Sequence, residues 1–354
     1  MTVRLPSDLL GRSAEEGSRL LALAYLDEIA WAERRLADRQ DSEALHDFRV
    51  GLRRLRSCTR AYRSQLKGSV SKKMRRQLRD LTVATNPGRD TEVKLAWLHQ
   101  QAERLGAGES EGLGWLIGRL EGRKYEALER VTGDVARRFL KLATKLRRRL
   151  GTFQVEVRTG RDQKPQSFGT VTSGLIQSHV TELAEGLETV AKPENVTEAH
   201  AARIKAKRLR YLLEPLARRA SGVKALVGRL KQLQDLLGNL HDMQVLAEEI
   251  DASLAALSRS MSDRQPVVKP GLLALQRLAN EQAGESFAGF HAGWADGRAT
   301  RFLSRANDLG SQLTGPAQAT ESKVVLTGQG GGALISLIEE ERHPLPQKQP
   351  GSVV

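Results

Sequence analysis

The sequence predicts an all-α fold arranged as two similar helical bundles. Apolar residues recur at spacings of three and four along nearly the whole chain; Leu, Ala, Arg, Glu and Gln dominate; and no convincing alternating strand pattern occurs. A short basic pattern also occurs twice, 154 residues apart: His46, Arg49, Val50, Arg53, Arg54, Leu55, Arg56, and then His200, Arg203, Ile204, Lys207, Arg208, Leu209, Arg210. The likeness continues past each copy. Leu78, Asp80, Leu81, Arg89, Asp90 and Val93 resemble Leu233, Asp235, Leu236, His241, Asp242 and Val245, with the second copy three residues shorter across the intervening break. An internal duplication of this kind implies two bundles of about 150 residues each.

Each half supplies the same sequence of elements. A first helix is expected over Ser7 to Arg39, with Leu9, Leu20, Leu23, Leu26 and Ile29 among its apolar positions. Ser42 is a suitable N-cap for a second helix running to about Lys67. Gly68 to Ser71 reads as a turn, a third helix extends to about Ala84, and Asn86-Pro87-Gly88 reads as a break before a fourth helix near Asp90. A long amphipathic stretch from Glu111 to Leu150 closes the first half, which spans residues 1–150. Residues 151–167 are polar, include Gly160 and Pro165, and read as a linker.

In the second half, residues 168–314, Phe168 to Val190 is the counterpart of the first helix, and Thr197 is the expected cap of a helix from Glu198 to Ala220. Val223 to Leu237 follows, then a break at Gly238-Asn239, a helix from His241 to Leu257, and a closing helix from Gly271 to Leu309. Residues 315–354, with Gly328 to Gly332 and Pro344, Pro346 and Pro350, have the composition of a flexible tail. The short apolar piece Ala333 to Ile338 is the one part of it suited to docking.

The net charge is +14 and the pI about 10.1, which favours an acidic partner. The distribution says more. Phe48 to Arg79 holds twelve Arg or Lys and no acid, Val135 to Val155 seven and none, and Pro215 to Gln234 five and none. Helices ordinarily mix both signs, because oppositely charged i,i+4 pairs stabilise them. Acid-free segments forgo that and suggest that an external anion supplies the missing charge. On a helix, His46, Arg49, Arg53, Arg56, Arg60 and Arg63 share one face, while Phe48, Leu52, Leu55 and Tyr62 form an adjacent packing face. His200, Arg203, Lys207 and Arg210 form the equivalent cationic face beside Ala202, Ala206, Leu209 and Leu213, and Arg54 and Arg208 flank the two rails. Arginine suits phosphate because its planar fork holds two oxygens at once. Histidine adds a donor whose charge depends on pH.

The repeated motif His-x-x-Arg-Val with Arg-Arg-Leu-Arg, together with Leu-x-Asp-Leu and an Arg-Asp-x-x-Val or His-Asp-x-x-Val segment after each copy, resembles the CHAD family, the conserved histidine α-helical domain. The resemblance covers roughly Leu9 to Leu313. It implies two antiparallel four-helix bundles related by pseudo-symmetry, with a basic cavity between them. It also implies binding of inorganic polyphosphate and, in bacteria, association with polyphosphate granules. Carried over residue by residue, it places His46, Arg49, Arg53, Arg54 and Arg56 on one wall of that cavity and His200, Arg203, Lys207, Arg208 and Arg210 on the other. Arg76 and Lys231 stand in matching places two residues before Leu78 and Leu233 and join the candidate set.

Rival readings are weaker. Family members joined to a triphosphate-tunnel domain carry a Glu-x-Glu-x-Lys strand; the nearest segment here, Val155-Glu156-Val157-Arg158, lacks the second carboxylate. His46-Asp47 and His241-Asp242 are His-Asp dyads of the kind that metal phosphohydrolases use, but further ligands are missing and the nearby arginines would repel a divalent cation. No phosphate-binding Gly-x-x-x-x-Gly-Lys-Ser/Thr loop occurs. The expectation is therefore a binding module with no catalytic residues, metal or cofactor. A basic helical nucleic-acid binder stays open as the alternative, with weak cross-binding expected in any case. Against it as the main ligand, aromatics are 4% of the chain and do not interleave with the rails. Cys58 is the sole cysteine, so no intramolecular disulfide forms; residues 1–10 lack a signal-peptide core and no run of about eighteen apolar residues exists. A cytoplasmic location, at polyphosphate granules, is the expectation, with no membrane partner.

Overall fold

The computed structural model describes residues 5–38, 40–152, 165–260, 265–295 and 297–313, and these residues form an all-helical fold with no strand among them. The first half contains α1 (Ala14–Arg35), α2 (Ser42–Ala61), α3 (Lys72–Ala84), α4 (Asn86–Gln101), α5 (Ser110–Arg130) and α6 (Ala136–Gly151). The second contains α7 (Phe168–Glu188), α8 (Val196–Leu213), α9 (Val223–Ser260), α10 (Gln265–Trp294) and α11 (Arg298–Gln312). The core runs through both halves and is dominated by Leu, with Phe48, Tyr62, Phe139 and Phe168 among its largest fully buried side chains.

Packing repeats between the halves. α1 packs on α2 and α6, as α7 packs on α8 and α11; α2 meets α3 as α8 meets α9; α4 meets α5 as α9 meets α10. Across the seam, α1 touches α7, α2 touches α8, α4 touches α9, and α5 touches α10. Like meets like, as in a two-fold arrangement. The seam has a reciprocal backbone contact at one end. Ser13 and Ser167, again 154 residues apart, form an isolated antiparallel bridge in which Ala14 N–H donates to the Gln166 carbonyl and Phe168 N–H to the Arg12 carbonyl. Each serine also caps its own helix, Ser13 accepting from Glu16 N–H and Ser167 from Thr170 N–H. At the α5–α10 crossing two glycines face each other: a Cβ on Gly112 would stand 2.7 Å from the Gly271 Cα. No other residue allows that approach.

Several boundaries differ from the expectations above, each for a local reason. α1 starts at Ala14, not Ser7, because Ser13 provides the cap, and it ends at Arg35. Asp41, not Ser42, caps α2 by accepting from Glu43 and Ala44 N–H; the helix ends at Ala61, and the turns that follow tuck Leu66 and Val70 into the core. Asn86-Pro87-Gly88 does not precede a helix but opens one, since proline in a first turn sacrifices no hydrogen bond. The stretch from Glu111 to Leu150 is helical throughout but widens into a π-turn at Val131–Val135 between α5 and α6. α8 begins at Val196, with Asn195 rather than Thr197 at the cap position, and it stops at Leu213 where Glu214-Pro215-Leu216 form a 3₁₀ turn. The break expected at Gly238-Asn239 is absent: α9 runs unbroken from Val223 to Ser260. The closing helix is two helices, parted at Gly297, whose φ of 75° is left-handed. Residues 153–164 of the expected linker and 314–354, including the docking piece at 333–338, lie outside the described residues; Gln166 and Ser167 belong to the bridge just described.

Candidate functional site

The two basic rails lie on α2 and α8, which touch across the seam. Their apolar faces anchor them: Phe48, Leu52 and Leu55 in one half and Ala202, Ala206 and Leu209 in the other are fully buried. Packing those faces inward turns the cations of each rail toward the opposite half.

Arg53 and Lys207 are equivalent positions, 154 residues apart, and each lies within electrostatic reach of cations from both halves. Burial pushes the Arg53 guanidinium below its ordinary range, and Arg89, Arg210 and Arg49 push it the same way against the Tyr211 phenol. Lys207 falls to about 7, chiefly through burial and then through Arg203, Arg53 and Arg210, with Asp242 opposing. Burial and then Arg60, Arg79 and Arg208 lower Arg56. His200 is lowered by burial, then by His241, Arg203 and Lys207; its ring lies 4.6 Å from that of His241. Among the described residues, the buried Arg53 Nε, His200 Nδ1 and His241 Nδ1 find no hydrogen-bond partner. A cluster of this sort holds more positive charge than the chain itself neutralises.

Two arginines pass over glycines. The Arg49 guanidinium donates to Glu92 at 2.7 Å and lies where a Cβ on Gly88 would be, 2.5 Å away. Arg203 donates to the Gln234 carbonyl, and a Cβ on Gly238 would stand 3.0 Å from its guanidinium. This explains the continuity of α9: Gly238 makes room for an arginine instead of ending a helix.

Arg54 and Arg208 play a different part. Arg54 pairs with Glu28, and Arg208 with Glu182, at equivalent positions in the two halves. Each flanking arginine thus ties its rail helix to the first helix of its own half. Arg54 also reaches Glu214 at 3.1 Å, and Glu214 lies 3.4 Å from Arg210. Burial opposes the Arg54 charge, but Glu214, Tyr25 and Glu28 hold its pKa above the ordinary value.

Of the remaining predicted residues, His46 is exposed at the start of α2, with Asp47 beside it paired to Arg35. Arg76 and Lys231 are exposed on α3 and α9, and neither forms an ion pair among the described residues. The structure brings Arg60 of the first rail into the cation cluster, adds Arg79, Arg89 and His241, and places two carboxylates in it, Asp90 and Asp242. Burial and then Asp242 raise the Asp90 pKa, against Lys94, Arg203 and His241. Arg89-Asp90 and His241-Asp242 were visible in the sequence as a repeated dipeptide, but nothing in it showed that they approach one another. Among the described residues no group of three or more His, Cys, Asp or Glu is placed to hold a metal ion, and no helix is long and apolar enough to cross a membrane. The Cys58 thiol is buried, and burial raises its pKa, so it is a packing residue.

Fold and site together define an all-helical protein whose two like halves turn cations toward a shared seam. The chain belongs to the CHAD family: the CHAD domain profile matches residues 21–251. Its fold is similar to the crystal structure of the CHAD domain from the plant Ricinus communis, with a TM-score of 0.60 and 19% identity over 83% of this chain and 94% of that one. It is also similar to PptA from Streptomyces chartreusis, with a TM-score of 0.58 and 16% identity over 82% and 99% of the two chains. At these identities the likeness concerns the fold alone. No curated protein matches the chain.

Proposed function

We propose that this protein binds inorganic polyphosphate along the seam between α2 and α8, as a binding module without a catalytic step. The observation that carries the reading is the meeting of Arg53 and Lys207 amid Arg49, Arg89, Arg203 and Arg210, where burial and then mutual repulsion disfavour the charged form of both groups. A polyanion offsets that penalty: each phosphate that displaces its counterions balances the repulsion among the arginines and, at Lys207, favours the protonated form. Polyphosphate presents charge without bases, so a face of Arg, Lys and His suffices and no stacking platform is required. Arg49, Arg53, Arg56, Arg203, Lys207 and Arg210 would contact the chain, with His200 and His241 beside them. Arg54 and Arg208 would hold the rails in position. Localisation at polyphosphate granules follows from this ligand.

Membership of the CHAD family supports the reading. Single contacts in such a site contribute about 1 kcal/mol each. Eight engaged phosphates would give a log–log salt slope of about −6 to −7 if the counterion behaviour of nucleic acids carries over. The test is competition against labelled long-chain polyphosphate at about physiological salt, with duplex DNA, single-stranded RNA and tripolyphosphate as competitors. Preferential displacement by polyphosphate at equal phosphate concentration is the expected result. Equal or better displacement by DNA or RNA would transfer the site to the nucleic-acid reading.

A further inference from the structure

The seam leaves two acid-free segments unused, and the first of them lines a cavity. Val135 to Val155 carries seven basic residues, and they lie on α6, which packs on α1 and α3. There α3 and α6 enclose a cavity of about 200 Å³ lined by Ser71, Lys73, Gln77, Lys145, Arg148 and Arg149, with Met74 at its base. The Arg149 guanidinium is fixed by donating to the Ser69 and Gly68 carbonyls, at 3.0 and 2.7 Å. Lys145 and Arg148 are exposed. The first turn of α3 contains Lys72 and Lys73 and no acid, although a helix N-terminus disfavours cations. An anion in the cavity would remove that cost.

The cavity is also connected to the rail. Lys73, Arg76 and Arg79 follow one another at i,i+3 along α3, about 5–6 Å apart. Arg79 lies within electrostatic reach of Arg56, which in turn faces Arg60 and Arg208. Two carboxylates adjoin this path: Asp80, held by Arg79, and Glu182, held by Arg208 and His179. The second half has no such extension. By the offset of 155 that relates Leu78 to Leu233 and Arg76 to Lys231, Gly228 stands in place of Lys73.

We infer that the α3–α6 groove is a second polyphosphate contact, which a chain leaving the seam at Arg56 reaches over Arg79 and Arg76. This deepens the function proposed above and rests on it. The site binds one polyphosphate molecule asymmetrically, engaging the first half over a longer path than the second.

The test compares long-chain polyphosphate with tripolyphosphate, which is too short to bridge seam and groove. The variant Lys145→Glu/Arg148→Glu alters exposed positions only, and Arg301→Glu/Arg305→Glu on α11, equally exposed, changes the net charge by the same amount. The groove variant should bind long chains about tenfold more weakly while the α11 variant changes by less than about twofold, and neither should alter tripolyphosphate affinity by more than about twofold. An unchanged groove variant in a protein that binds polyphosphate overturns the second contact and leaves the seam intact. Equal weakening by both variants reduces the effect to net charge and overturns it too. A wild-type protein that binds no polyphosphate removes both proposals together.

Discussion

Positions 60 and 214 are the same place in the two halves, 154 residues apart, and they carry opposite charges. Glu214 accepts from Arg54 and lies beside Arg210. Arg60, in the mirror relation, faces Arg208: burial and then Arg208 push the Arg60 pKa down, against Glu182. One end of the seam is therefore neutralised from within, and the other keeps its positive charge. The pair Arg54–Glu28 and its counterpart Arg208–Glu182 show that the framework itself is alike at both ends. The clearest difference is the residue added to it, Arg60 against Glu214. Two like halves can thus keep their packing while one position sets the charge at each end of the seam.

The centre that both ends share should be the most sensitive point. Arg53→Glu with Lys207→Glu should weaken polyphosphate binding by at least about 100-fold, read by the competition titration, with helicity retained in circular dichroism. Retained binding would place the ligand elsewhere. Exchanging the ends sharpens the comparison. Arg60→Glu should pair with Arg208 and weaken binding about tenfold while leaving stability within about 1 kcal/mol of wild type. Glu214→Gln should do the reverse. It frees Arg210 for the ligand and tightens binding a few-fold, but it leaves Arg54 short of a partner and costs about 1–3 kcal/mol in urea unfolding.

The pH response tests the centre from another side. Lys207 loses its proton as pH rises through about 7, and a polyanion favours the protonated form. Affinity should therefore fall between about pH 6 and pH 8, with proton uptake on binding, and Lys207→Arg should flatten most of that dependence. His200 faces Lys207, and any protein slope left in Lys207→Arg is assigned to His200. For the free protein the sign is opposite. Unfolding restores the ordinary pKa of 10.5, so stability rises with pH between about 7 and 10.5. The smallest effect concerns Gly238. Gly238→Ala should raise stability by up to about 1 kcal/mol, because alanine favours a helix interior. It should also displace the Arg203 guanidinium from the Gln234 carbonyl and weaken binding a few-fold. A variant that gains stability at no cost in affinity would show that Arg203 does not contact the ligand.

The fold class was legible because the 3.6-residue period and the duplicated motif are local signals, and the rails were legible because they are runs along single helices. The failures came where a residue's meaning depends on a distant partner. Gly238-Asn239 has the composition of a break, yet the glycine serves an arginine on another helix. Pro87 suggests an end and marks a beginning, because proline is tolerated in a first turn. The ion-pair partners of Arg54 and Arg208, Glu28 and Glu182, lie 26 residues earlier in the chain and become visible only when the first two helices of each half pack together. Arg79 stands in no repeated motif, and Arg89 stands in a repeated dipeptide that nothing in the sequence places beside the rails, because the two come from α3 and α4.

The reciprocal bridge at Ser13 and Ser167 has a consequence for assembly. A surface that pairs with its own counterpart in the same chain pairs equally well with that counterpart in another, and the helix contacts across the seam are of the same kind. Two molecules that traded halves would therefore make the same contacts along the seam. The exchanged dimer would carry two complete seams, each assembled from different chains.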